Sequence, residues 1–138
     1  MSQRVGISSK PRPRIGPDNK AFWDGCKNHK LLLPFCQECG EAHLPPGPVC
    51  PFCLSERLEW RETNGRGTLS SWVMVHQVWY PAFAEDIPYN VIQVELDDGP
   101  RLTAKLVGGG EKISVGQKVI SDFEDVDDAL TLLCFRPA

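Results

Sequence analysis

The sequence predicts a mainly β protein in which a short N-terminal helix and a four-cysteine metal-binding ribbon precede a five-stranded barrel. Three observations lead to this prediction: a pair of CxxC motifs, helical spacing of apolar residues before them, and apolar–polar alternation after them. A chain of 138 residues suits one compact domain or two very small ones. We expect a flexible arm at 1–16, a helix at 17–31, the ribbon at 32–61 and the barrel at 62–138.

The cysteine spacing is the most specific signal in the sequence. Cys36, Cys39, Cys50 and Cys53 follow the pattern CxxC-x10-CxxC, and two such loops can bring four thiolates to one ion at about 2.3 Å. Zn²⁺ is the predicted metal, and iron in a rubredoxin-like site is the alternative because it uses the same ligands. Four thiolates close a tetrahedral shell and leave no position for an activated water, so the predicted role of the metal is structural.

The segment before the ribbon predicts a short helix. Pro17 or Asp18 lies at its start, and Phe22, Trp23 and Cys26 fall on one side at helical spacing. Gly25 costs about 1 kcal/mol inside a helix, so we expect this helix to need a docking surface. The arm before it contains KPRPRIGP, which proline interrupts too often for a helix.

Strand patterns begin at Gly65. GTLSSWVMVHQVW alternates with period two, YNVIQVEL places Ile92, Val94 and Leu96 on one face, and RLTAKL, ISVGQKVISDFED and ALTLLCFRP supply three more strands. The glycines of GRGT (65–68) are interpreted as loop residues and the acidic DFEDVDD (122–128) as a solvated turn. Five strands over about 70 residues fit a small OB-type barrel, and a five-stranded open sheet would give much the same pattern.

The loop at 78–88, VWYPAFAEDIP, is rich in aromatic residues. Trp79, Tyr80 and Phe83 lie in it and Tyr89 follows. Large aromatic side chains are costly to leave in water, so they should meet a partner, a ligand or the protein's own core.

The remaining cysteine and histidine residues give no catalytic pattern. Cys26 and Cys134 are expected to be buried thiols, and His43 could hydrogen-bond near the metal. The sequence has no nucleophile elbow, phosphate loop or HExxH motif, so it predicts a binding or bracing module rather than an enzyme by itself.

Charge and hydropathy limit the cellular locations and the classes of binding partner that we expect for this protein. Residues 1–30 carry seven Lys/Arg against two Asp, whereas the chain from residue 84 onward carries eleven Asp/Glu against five Lys/Arg. An acidic second half repels a polyanion, which argues against nucleic acid. No apolar run approaches the ~18 residues of a membrane span, and no signal-peptide core is visible, so a cytoplasmic protein is expected.

The order of these motifs resembles the DUF35 family over about residues 20–136. The matching stretches are the FW of the helix, CxxCG, PP before CPxC, LEW, GRGTLSSW, PYNVIQVELDDGPRLTAKLVG and VGQKV. CPFCLS departs from the family by placing Leu54 where glycine is common. The resemblance implies a rubredoxin-like zinc ribbon and an OB-fold described as acyl-CoA-associated.

The resemblance also implies a function that depends on a partner. Members are small accessory or scaffold subunits of thiolase-like or lipid-transfer-protein-like enzymes, which form or cleave C–C bonds of acyl-CoA by thiolase or retro-aldol chemistry. The chain is then expected to be non-catalytic, to work in a hetero-oligomer and to contact CoA or acyl-CoA at the interface. Two alternatives stay open: a single-stranded nucleic-acid-binding protein and a rubredoxin-like electron carrier.

The candidate CoA or partner surface combines aromatic residues with basic ones that could bind CoA phosphates. Its members are Phe22, Trp23, Arg57, Arg61, Arg66, Trp79, Tyr80, Phe83, Tyr89 and Lys105.

Overall fold

A computed structural model describes residues 10–108 and 112–138, so residues 1–9 of the expected arm lie outside the described residues. Helix α1 (Lys20–Lys27) leads into a two-stranded antiparallel sheet of β1 (Leu32–Cys36) and β2 (Leu58–Glu62). Five strands follow: β3 (Arg66–Val75), β4 (Tyr89–Leu96), β5 (Arg101–Ala104), β6 (Lys118–Asp127) and β7 (Leu130–Pro137). A short 3₁₀ turn, Pro81–Phe83, lies within the loop between β3 and β4.

The five strands form one curled antiparallel sheet in the order β5-β4-β3-β6-β7. Its two edge strands approach each other at one end, where Leu106 and Phe135 form a parallel bridge and the Phe135 N–H donates to the Lys105 carbonyl oxygen at 2.9 Å. The sheet is therefore a half-barrel of the OB type, which confirms the predicted fold class.

One hydrophobic core joins the ribbon to the half-barrel. Leu33 from β1 is buried in the same cluster as Leu69, Val94 and Phe135 from the large sheet. Helix α1 packs on this unit through Phe22 and through Cys26, which is fully buried. A Cβ on Gly25 would stand 2.8 Å from the Leu32 side chain, so glycine is what lets the helix lie this close to β1.

Two predictions about local structure are wrong. The acidic stretch 122–128 is not a turn, because β6 continues to Asp127 and pairs with β7 as far as Leu130. The interpretation of the GRGT glycines as loop residues holds for Gly65, which precedes β3, and is wrong for Gly67. Gly67 lies within β3, where a Cβ would stand 2.6 Å from a Val94 methyl carbon, and Gly65 has φ +72° and lies against Ser121.

The alternation predicted for β4 is confirmed, whereas that of β3 changes partway along the strand. Ile92 and Val94 are buried. In β3 a bulge between Leu69 and Ser71 shifts the register with β4. Leu69 is buried before it, but Val73 beyond it is 57% exposed, because the second half of β3 extends past the core.

Among the described residues, no helix combines the length and the apolar character that a membrane-spanning segment requires.

Candidate metal centre and docking surfaces

The four cysteines of the ribbon come together at one point. Their Sγ atoms all lie within 4.8 Å of one another. Cys36 and Cys53 are 3.5 Å apart, and Cys39 and Cys50 are 3.6 Å apart, measured between sulfurs. Four sulfurs at about 2.3 Å from one ion in a tetrahedron stand about 3.8 Å apart. The cluster therefore fits a tetrahedral tetrathiolate site of the kind that holds zinc.

Two matching turns present the sulfurs. The Gly40 N–H donates to the Cys36 carbonyl oxygen at 2.9 Å, and the Leu54 N–H donates to the Cys50 carbonyl oxygen at 2.8 Å. The residue after each CxxC pair has positive φ, at +82° for Gly40 and +66° for Leu54. Leu54, where glycine is common in the family, therefore lies at a position that needs a left-handed backbone conformation. Glycine adopts this conformation without strain, whereas leucine adopts it at a cost.

Backbone N–H groups surround the sulfurs and favour thiolates. The N–H groups of Cys39 and Glu38 both donate to Cys36 Sγ at 3.4 Å, and that of Phe52 donates to Cys50 Sγ at 3.4 Å. The Cys39 N–H is the largest cause that lowers the pKa of Cys36 to about 6. The Ser55 N–H acts in the same direction on Cys53, but the neighbouring Cys36 sulfur and desolvation together raise the pKa of Cys53 to about 12.

These opposite shifts follow from the close approach of several ionisable sulfurs. One thiolate forms readily, and its charge then disfavours ionisation of the sulfurs beside it. A divalent cation removes that conflict by stabilising all four thiolates at once. The site can therefore brace the ribbon, and its four protein ligands leave no coordination position for a substrate.

The other two cysteines are buried, as predicted. Cys134 is 5% exposed and Cys26 fully buried, and neither belongs to the cluster. Desolvation raises the pKa of Cys134 to about 11 and that of Cys26 to about 12. Both are therefore neutral thiols that pack as small apolar side chains.

His43 does not make the hydrogen bond that the sequence suggested. It is 4% exposed, and neither ring nitrogen has a hydrogen-bond partner among the described residues. It lines a cavity of about 200 Å³ between the ribbon and the β4–β5 turn, together with Phe52 and Asp98. Burial lowers the pKa of His43, so the neutral imidazole is favoured.

Four of the ten candidate surface residues lie together. The rings of Tyr80 and Phe83 are 6.2 Å apart and those of Phe83 and Tyr89 are 6.0 Å apart, measured between centroids. Phe83, Tyr89 and Lys105 line a cavity of about 540 Å³ beside the open part of the half-barrel seam. The arm crosses this cavity, where Lys10 pairs with Asp86 at 2.6 Å.

The other six candidates are scattered or engaged elsewhere. Phe22 packs on the core and meets Trp23 edge to face at 5.1 Å. Arg57 lies 3.8 Å from Glu38 and Arg61 lies 2.6 Å from Glu59, both within the ribbon. Arg66 begins β3, and Trp79 is 67% exposed in the loop after β3.

The sequence reasoning did not select the apolar residues before this loop. Trp72, Val73 and Met74 are all exposed, and Val78 continues the surface toward Trp79 and Tyr80. One feature of the sequence could have indicated this surface: the chain has no Asp, Glu, Lys or Arg from Gly67 to Ala84.

The fold and the metal centre define a zinc-ribbon protein with an OB-fold. Two family models match: "ChsH2, rubredoxin-like zinc ribbon domain" over residues 23–59 and "ChsH2, C-terminal OB-fold domain" over residues 60–124. A "DUF35 domain-containing scaffold protein" of Methanocaldococcus jannaschii is 30% identical over 115 residues, which cover 78% of this chain and 81% of that protein. The chain belongs to the DUF35/ChsH2 family.

The solved structures agree with this assignment. The "Ltp2-ChsH2(DUF35) aldolase" contains a chain that is 38% identical with a TM-score of 0.81, and the match covers 91% of this chain and 98% of that chain. A DUF35-family protein of Sulfolobus solfataricus, 17% identical with a TM-score of 0.62, shares the fold.

Two longer relatives match only in part. A "Probable enoyl-CoA hydratase alpha subunit" of Thermomonospora curvata is 39% identical over 94% of this chain but only 40% of its own length. The "3-oxo-4,17-pregnadiene-20-carboxyl-CoA hydratase alpha subunit" of Mycobacterium tuberculosis is 30% identical over 85% of this chain and 37% of its own length. The chain thus spans about two fifths of the length of these relatives.

Proposed function

We propose that this chain is the scaffold subunit of a thiolase-like enzyme that forms or cleaves a C–C bond of an acyl-CoA thioester. One observation carries the proposal: the chain matches nearly the whole of its counterpart in the Ltp2-ChsH2(DUF35) aldolase, at 38% identity. The name of that structure pairs the DUF35 chain with Ltp2. The similarity therefore supports a hetero-oligomer in which a thiolase-like subunit of the Ltp2 type binds this chain.

The catalytic residues lie on the partner in this proposal. The cluster of potential metal ligands found in the described ranges is a tetrathiolate, which has no position left for a substrate. The hydratase names belong to relatives of which this chain matches only two fifths. Their hydration chemistry is therefore not assigned to this chain.

The metal in this proposal is Zn²⁺, and its role is to fix the ribbon. Elemental analysis of the purified protein should find about one zinc per chain. The preparation should be colourless. Visible absorbance with a reversible one-electron couple would instead indicate the rubredoxin-like iron site and an electron carrier.

The docking surface for the partner centres on the loop after β3. Val78, Trp79 and Tyr80 are exposed there, and an apolar patch of aromatic residues is typical of the centre of a protein interface. Arg66 and Lys105 have no ion-pair partner among the described residues. They are therefore better candidates for CoA phosphates than Arg57 and Arg61, which already pair with glutamates.

Purification from the native host tests the proposal. A tagged chain should co-purify with a thiolase-like subunit that mass spectrometry identifies, and the pair should be assayed for acyl-CoA condensation and cleavage against each subunit alone. A Trp79→Asp variant should lose the partner, whereas Ile15→Asp, at an exposed apolar residue outside both the loop and the ribbon, serves as the control. If the thiolase-like subunit is as soluble and as active without this chain, the scaffold function is wrong. Salt-dependent binding of single-stranded oligonucleotides would favour the nucleic-acid alternative.

A further inference from the structure

The second half of β3 has a free edge. Strand β6 pairs with β3 only at Arg66–Thr68, and the last hydrogen bonds on that side join Leu69 to the residues just before β6, Gly116 and Gln117. From Ser71 to Val75, β3 pairs with β4 alone among the described residues. Antiparallel neighbours exchange hydrogen bonds at every second residue, so about half of the N–H and C=O groups of this stretch face away from β4.

Apart from the bulge between Leu69 and Ser71, this edge has none of the usual protection among the described residues. Natural edge strands are shielded by charged side chains, proline or a covering element, because an open edge accepts another strand. Residues 70–75, which we name the β3 edge, contain no charge and no proline. Trp72 and Met74 on one face and Val73 on the other are all exposed. A further strand would therefore gain both backbone hydrogen bonds and apolar contacts on its two sides.

We propose that the β3 edge accepts an extended, uncharged strand of the partner subunit, which lengthens the half-barrel sheet by one strand across the interface. This inference rests on the proposed function, because the strand is supplied by the thiolase-like subunit. It goes beyond that function by naming the element that binds and the backbone groups that recognise it. Strand addition of this kind takes its affinity from main-chain hydrogen bonds and its specificity from alternate side chains.

The lack of charge at the β3 edge indicates which kind of strand can bind there. The edge lies in the uncharged stretch from Gly67 to Ala84, so a charged strand would lose solvation there without gaining an ion pair. A second copy of this chain is disfavoured, because the loop continues into Glu85 and the chain from residue 84 has eleven acidic against five basic residues. Two copies joined at this edge would place like charges near each other. The edge is also continuous with Val78, Trp79 and Tyr80, the surface proposed above for the same partner.

The test combines one variant pair with hydrogen exchange. Val73→Lys places a charge of the kind that protects natural edges, and it should weaken binding to the co-purified thiolase-like subunit by about tenfold or more, the loss expected for a few backbone hydrogen bonds. Val73→Thr keeps a β-branched, uncharged residue and should bind within a few fold of the unmodified chain. Ile15→Lys is the matched control, because Ile15 is a β-branched residue that is 46% exposed just before helix α1, which packs on β1 and β7, and this variant should bind normally.

Amide exchange separates strand pairing from simple packing. In the complex, the amides of the β3 edge that exchange freely in the isolated chain should become protected. If the Val73→Lys variant binds as tightly as the unmodified chain, or if these amides exchange equally fast in the complex, the proposal is overturned. Dimerisation of the isolated chain that Val73→Lys abolishes would assign the edge to a second copy and would also overturn it.

These outcomes are distinct from failure of the proposed function. If the unmodified chain recruits no thiolase-like subunit, the scaffold function itself fails and this inference falls with it. If the subunit is recruited and every edge variant binds equally well, only the strand pairing is wrong.

Discussion

The ribbon and the half-barrel reach stability by different means. The half-barrel buries Leu69, Val94, Val119 and Phe135 almost completely and closes its seam with backbone hydrogen bonds. The ribbon contributes buried apolar side chains such as Leu33 and Ala42 to the shared core. Its outer end, where Phe52 and Leu54 are exposed, has the four sulfurs in place of a core.

This difference explains how a segment as short as the ribbon can be rigid. Between Cys36 and β2 the chain makes two turns, each of which supplies two of the four clustered sulfurs, and a segment of this size cannot bury enough apolar surface by itself. Removal of the metal should therefore destabilise mainly the ribbon. A cavity in the shared core should destabilise both the ribbon and the half-barrel.

Loss of the metal should have the largest effect, and it should be local. In a Cys50→Ser variant we expect the zinc content to fall to near zero, because one of the four ligands is lost and the remaining thiolates no longer share a complete shell. Hydrogen exchange should then show that amides of residues 36–58 lose protection while β4 and β7 keep theirs. Cys134→Ser, a buried cysteine outside the cluster, should leave the zinc content unchanged. Loss of protection throughout the sheet would show that the metal holds the whole molecule.

Removal of a large core side chain should weaken both regions. Phe135 is fully buried where the seam closes, and Phe135→Ala should lower the free energy of unfolding by about 3–5 kcal/mol through lost burial and the cavity left behind. Because the ribbon shares this core, its unfolding should shift with that of the sheet in denaturant titrations. Phe52→Ala, at an exposed phenylalanine of the ribbon, should stay within about 0.5 kcal/mol of the unmodified chain. Separate unfolding of the ribbon in Phe135→Ala would mean that the two cores are independent.

Replacement of Gly67, near the start of β3, should lower the free energy of unfolding, although the sequence suggested only a loop glycine there. A Cβ at Gly67 would stand 2.6 Å from a Val94 methyl carbon and 2.7 Å from the Glu95 carbonyl oxygen. Gly67→Ala should therefore cost about 1–3 kcal/mol of unfolding free energy, as overpacking does in other cores. Gly47→Ala in the ribbon is the control, because no atom lies within 4 Å of the added Cβ. Equal stability of the two variants would show that β3 and β4 can move apart without cost.

The sequence predicts the parts of this protein whose signals are local. The CxxC pairs identify the metal cluster because their spacing alone brings the sulfurs together, and the alternation of YNVIQVEL places Ile92 and Val94 in the core. The role of Gly67 could not be predicted, because the close approach comes from strands that are neighbours only after folding. The acidic stretch of β6 was misinterpreted for the same reason, since pairing with β7 overrides the weak strand preference of aspartate.

The exposed surface was the least predictable part. Alternation in GTLSSWVMVHQVW indicates a strand, but it does not show that β6 leaves β3 after Thr68 and so exposes both faces of Trp72–Met74. Basic residues chosen as candidates for CoA could not be separated from those that form ion pairs within the ribbon, such as Arg57 with Glu38. Such assignments depend on contacts between segments that are far apart in the chain.

The smallest effect concerns the junction where the two regions meet, and it depends on pH. His43 is buried there without a hydrogen-bond partner among the described residues, and burial lowers its pKa from the ordinary value of 6.5. The unfolded chain therefore takes up a proton near pH 6.5 that the folded chain resists, so the free energy of unfolding should be greatest above that pH and should fall as the pH is lowered. His43→Leu removes both the titration and the two unpaired nitrogens, so denaturant titrations from about pH 7.5 to about pH 5 should show a flatter profile than in the unmodified chain. An unchanged slope in His43→Leu would mean that the junction opens to water, and the ribbon would then be joined to the half-barrel less tightly than the shared core indicates.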